Sequence, residues 1–63
     1  MSWSSCMVRH IEADWGKQAA DCVAGFGSGD LEKIADCIAD IAGDESPAIV
    51  LAKLTAWAIA CAF

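Results

Sequence analysis

Apolar side chains recur at every third or fourth position along most of this chain. Val8, Ile11, Trp15, Ala19, Cys22 and Phe26 follow that step, as do Leu31, Ile34, Ile38 and Ile41, and then Val50, Leu54, Trp57 and Cys61. A step of threes and fours places side chains on one face of an α-helix, whereas a strand needs alternation by two. No segment alternates by two, and β-branched residues are sparse. The pattern predicts an all-α, compact bundle of three helices, roughly 5–26, 30–42 and 47–62, in a single domain over 1–63. Gly16 interrupts the first of these. Glycine inside a helix costs ~1 kcal/mol relative to alanine, and a bend there would turn three helices into four.

Punctuation supports the same boundaries. The run Gly25-Phe26-Gly27-Ser28-Gly29 separates the first two helices, and Gly43-Asp44-Glu45-Ser46-Pro47 separates the last two. Serine caps helix N-termini well, proline is tolerated at the first helical position, and glycine suits the left-handed residue after a helix. Ser46, Pro47 and Gly43 fit those three roles, and Ser28 or Asp30 is placed to cap the middle helix. The glycine run follows a helix rather than a strand, so it reads as a turn and not as a phosphate-binding loop.

Charge is unevenly spread. All nine acidic residues precede Pro47, and residues 47–63 carry one charge, Lys53. With three basic residues before it, the first part has a net charge of −6 and the tail +1. A net charge of −5 opposes phosphate contacts, which excludes nucleic acid as a partner. It also opposes electrostatic attraction to anionic lipid. The N-terminus lacks a basic stretch followed by an apolar run, so it does not read as a secretory signal. As a helix the tail would reach ~25 Å, at 1.5 Å per residue, against a hydrocarbon thickness of ~30 Å. That length suits a buried or interfacial helix better than a membrane span.

A chain of 63 residues buries only ~60% of its unfolded surface and commonly needs cross-links, metal or oligomerisation. Cys6, Cys22, Cys37 and Cys61 are candidates for two disulfides, with three possible connectivities. Across an antiparallel hairpin, Cys22 and Cys37 differ in height by only ~5 Å. The remaining pair, Cys6 with Cys61, requires the bend at Gly16, since a straight bundle would hold them tens of ångströms apart by the same helical rise. The alternative is that the cysteines are free thiols acting as small buried apolar groups. A bent packet with both termini at one end resembles the saposin-like architecture, without that family's six-cysteine framework.

Chemistry-bearing residues are few. Cys6, His10 and Asp14 share one ridge of a straight first helix, but span ~12 Å by helical rise, too far to converge on one ion. The expectation is no metal and no cofactor, with His10 and Asp14 as an exposed pair. Glu32, Asp36 and Asp40 form an acidic stripe on the middle helix, extended by Asp44. It is either a solvated face or a docking strip for a basic protein partner. No assembled acid, base and nucleophile is evident, so the chain does not read as an enzyme. Trp3, Trp57, Ile59 and Phe63 are candidates for membrane contact, since tryptophan favours interfaces with one wet side. Trp3, ahead of the first helix, is expected to be the most exposed tryptophan.

Asp14-Trp15-Gly16-Lys17 with Cys22 downstream resembles a segment of the pediocin-like bacteriocins, although the Tyr-Gly-Asn-Gly-Val box of that family is absent. The compact helical character also resembles the leaderless bacteriocins, which are typically basic where this chain is acidic. With the apolar tail bearing Trp57 and Phe63, the closed packet and the small size, the leading expectation is a secreted, membrane-active, bacteriocin-like antimicrobial peptide whose third helix swings out to insert into lipid. The competing expectation is a cytoplasmic acidic binding module: a regulator, inhibitor or immunity-like protein. Self-association of the alanine-rich faces into a homo-oligomer is a third.

Overall fold

The computed structural model describes residues 2–26 and 28–63. Met1 and Gly27, the middle glycine of the glycine run, lie outside the described residues, as does the expected capping by the Ser28 side chain. Four α-helices form the packet: α1 (Trp3–Trp15), α2 (Lys17–Ala20), α3 (Leu31–Ala42) and α4 (Pro47–Cys61). Short 3-10 turns cover Asp21–Val23 and Ser28–Asp30. The molecule measures 30 × 20 × 19 Å.

The first helix begins two residues earlier than expected because Ser2 caps it. Its hydroxyl oxygen accepts from the Ser5 amide at 3.1 Å. Trp3 therefore opens α1 instead of preceding it. The continuous 5–26 helix gives way to the bent alternative. At Gly16 the chain takes φ 94° and ψ 177°, a combination open essentially to glycine alone. The Gly16 amide still closes the last turn of α1 on the Glu12 carbonyl at 2.9 Å, and the chain then turns away into α2. A methyl group at this position would meet nothing within 4 Å, so the barrier to other residues is conformational rather than steric. Gly16→Ala is expected to destabilise the fold by about 1–3 kcal/mol; a urea unfolding curve unchanged by the substitution would contradict this.

The other boundaries follow their caps. Gly43 ends α3 in the left-handed conformation, φ 72°, its amide donating to the Ala39 carbonyl at 2.9 Å. The Ser46 hydroxyl accepts from the Ile49 amide at 3.4 Å, with Pro47 in the first position of α4. Met7, Ile11, Ile34, Ile38, Val50 and Leu54 are the fully buried large side chains. They come from α1, α3 and α4 and meet at the centre. Ile41, expected on the apolar face of α3, is instead exposed.

Two disulfides close the packet. Cys22 joins Cys37 with Cα atoms 5.9 Å apart, and Cys6 joins Cys61 with Cα atoms 5.7 Å apart. The bend at Gly16 makes the second bridge possible by returning the later part of the chain toward the start of α1. The cross-links divide the fold into two covalent pairs, α1 with α4 and the 21–23 turn with α3. The chain passes between the pairs at Gly16 and at residues 43–46.

Candidate functional site

The fourth helix carries apolar side chains on its outer as well as its inner side, with Lys53 and Thr55 as its polar ones. Val50 and Leu54 are fully buried, and Leu51, Trp57, Ala58 and Cys61 pack partly against the core. The opposite flank, Ile49, Ala52, Ala56, Ile59 and Ala60, faces outward, continuing to Phe63. Ile49 is 51% exposed, Ile59 60% and Phe63 wholly so. Surface helices normally carry polar groups on their outer side, and a helix apolar on all sides is normally buried. Thr55 is the polar side chain on this flank, and its hydroxyl donates to the Leu51 carbonyl at 2.8 Å. The proton of this hydroxyl thus has its partner within the helix.

The single charge of α4 is neutralised. Lys53 Nζ lies 3.1 Å from Asp14 Oδ2 and 3.0 Å from Glu45 Oε1, and 5.3 Å from the centroid of the Trp15 ring. It ties α4 to the end of α1 and to the loop before α4. The other Glu45 oxygen, Oε2, is buried without a hydrogen-bond partner among the described residues. The hydrogen bonds that Lys53 donates to Glu45 and then to Asp14 hold its ammonium above its ordinary value of 10.5. A raised folded-state value means that this contribution is fully present below the unfolded value and is lost as pH rises through the folded one. Between about pH 8 and about pH 11.5 the thermal midpoint of the wild type should fall further than that of Lys53→Met. Parallel curves would contradict the tether.

Trp57 sits between two aromatic neighbours. The His10 ring stacks on it at 5.2 Å and 10°, and Trp15 meets it edge-on at 5.4 Å and 62°. The Trp3 indole N–H donates to the Ala58 carbonyl at 3.4 Å. Both Trp3 and Trp57 are half-buried in the seam between α1 and α4, while Ile59 and Phe63 lie outside it. The expected exposed Trp3 is corrected by this hydrogen bond and packing. The expected His10–Asp14 pair is also replaced: His10 turns to Trp57 and Asp14 to Lys53. These reversals depend on the approach of α4, which spacing within α1 does not encode.

Glu32, Asp36 and Asp40 are all exposed along α3. They make no ion pair among the described residues. A separate open groove of about 470 Å³ runs beside α1, with Val8, Glu12, Lys17, Asp21 and Phe26 in its lining. Among the described residues, no helix is long and apolar enough to cross a membrane.

No family model, curated protein or solved structure matches this chain.

Two disulfides in a chain of this size fit an oxidising, extracellular setting. The Cys6–Cys61 bridge also alters the expected motion of the last helix. With its C-terminal end fastened to α1, α4 cannot swing out alone while the bridge is intact. Motion that keeps both bridges must carry α4 together with α1, hinging at Gly16 and residues 43–46.

Proposed function

We propose that this protein is a small secreted membrane-active peptide, of bacteriocin-like antimicrobial character, that meets lipid through the outer flank of α4. The observation that carries this reading is the uncovered apolar row of Ile49, Ala52, Ala56, Ile59 and Phe63 on a helix whose one charge is already paired. Such a face can lie in the boundary between headgroups and acyl chains, where burying apolar area supplies the binding energy. The chain's net charge of −5 directs it toward zwitterionic rather than anionic lipid. Deeper insertion would open the α1–α4 pair from the other pair and add core residues to the lipid-facing surface.

The test uses zwitterionic phosphatidylcholine vesicles loaded with dye. Micromolar wild-type protein should co-sediment with them and release dye. Ile49→Asp/Ile59→Asp should weaken binding by about tenfold or more, equivalent to ~1.4 kcal/mol, with its circular dichroism preserved. Absence of binding and release at both neutral and acidic pH would overturn the proposal, as would binding indifferent to the double substitution.

A second reading rests on the exposed stripe of Glu32, Asp36 and Asp40. It makes the protein an acidic module that docks on a basic partner. Binding to such a partner should weaken with salt and disappear in Glu32→Gln/Asp36→Asn/Asp40→Asn, while leaving vesicle association untouched. Enzymatic chemistry has no part in either reading.

A further inference from the structure

The Cys6–Cys61 bridge has a third potential ligand beside it. The two sulfur atoms and a ring nitrogen of His10 all lie within 4.8 Å of one another. Cys6 and His10 are one helical turn apart on α1, and Cys61 arrives from the end of α4. We propose that reduction of this disulfide converts it into a binding site for a thiophilic d10 ion such as Zn²⁺, held by Cys6, His10 and Cys61. The ridge of Cys6, His10 and Asp14 visible in the sequence cannot converge, but replacing Asp14 with Cys61 removes that obstacle. Asp14 is committed to Lys53 instead.

The geometry requires little rearrangement. Tetrahedral zinc with Zn–S of ~2.3 Å and Zn–N of ~2.0 Å separates its ligand atoms by roughly 3.5–3.8 Å. The present grouping lies within 4.8 Å, and breaking the bridge frees the sulfurs to part. The chemistry balances in two steps. A dithiol or phosphine reductant supplies two electrons, giving two thiols and, respectively, a cyclic disulfide or a phosphine oxide whose oxygen comes from water. The ion then displaces one proton from each thiol and accepts the His10 lone pair, leaving a fourth position for water. The helices α1 and α4 stay joined in both states, by a covalent bond when oxidised and by the ion when reduced. This inference is independent of the lipid reading.

The test titrates Zn²⁺ into the full chain kept reduced by a water-soluble phosphine, with native mass spectrometry for stoichiometry and Cd²⁺ thiolate absorption as a ligand signature. One Zn²⁺ per chain is expected in the reduced protein and none in the oxidised protein. Bound zinc should restore helical circular dichroism lost on reduction, since metal affinity is coupled to folding. His10→Ala should weaken binding by ~10-fold or more, because imidazole is one of three protein ligands. Cys61→Ala should abolish it. Cys22→Ala/Cys37→Ala should retain it, and if that variant is unfolded when reduced, one equivalent of zinc should still recover helix. Failure of the reduced wild type to bind zinc, or binding unchanged by His10→Ala, would overturn the site. Binding that persists in Cys6→Ala/Cys61→Ala would assign it to the other cysteines and overturn it equally.

Discussion

Replacing both Cys6 and Cys61 with alanine should remove most of the protein's stability. The bridge joins residues 55 apart, nearly the full chain. In the chain-entropy description, a loop of that size contributes about 4 kcal/mol by restricting the unfolded ensemble, against about 3 kcal/mol for a loop near 15 residues. A domain of this length is stable by only roughly 3–9 kcal/mol at the usual 0.05–0.15 kcal/mol per residue. Cys6→Ala/Cys61→Ala, which lacks the long bridge, should therefore be largely unfolded at room temperature. Cys22→Ala/Cys37→Ala, which opens a separation of 15, should lose less. Urea titration by circular dichroism measures both. An equal or smaller loss for the Cys6–Cys61 variant would show that the long closure does not dominate.

The two flanks of α4 should respond to truncation in opposite ways. Leu54 is fully buried among Met7, Ile11, Ile34 and Ile38. Leu54→Ala removes buried methyl groups and leaves a cavity that neighbouring helices only partly fill, at a cost of about 2–5 kcal/mol. Ile59 is 60% exposed five residues later, and Ile59→Ala should alter folding stability by no more than about 0.5 kcal/mol. The ranking reverses for lipid, where Ile59→Ala should weaken vesicle association. If both substitutions destabilise the fold alike, the outward placement of Ile59 is wrong and the apolar flank with it.

The all-α class and the bounds of α3 and α4 were legible because they depend on local features. Ser46-Pro47 starts a helix and Gly43 ends one for reasons contained within a few residues. The bend was legible only as a condition: glycine at position 16 permits a positive φ, and the need to join Cys6 to Cys61 demands it. Trp3 was misread because Ser2, a good cap, starts the helix two residues earlier than the apolar periodicity suggested. His10 and Asp14 were placed correctly on one ridge but given the wrong partners, since both are claimed by α4. The ligand group of Cys6, His10 and Cys61 combines the Cys6–His10 ridge with the Cys6–Cys61 pair, both visible in the sequence, but their convergence depends on how α4 approaches α1. The outer flank of α4 was visible as excess hydrophobicity, yet which half of the helix remained uncovered depended on packing.

The cross-link pattern underlies the bend, the hinge and the latent metal site, and a single digest reads it. Cleavage after Arg9, Lys17, Lys33 and Lys53 places every cysteine in a different peptide. Without reduction, mass spectrometry should find residues 1–9 joined to 54–63, and 18–33 joined to 34–53. Residues 1–9 joined to 18–33, or four cysteines that alkylate freely in the protein as isolated, would contradict the account.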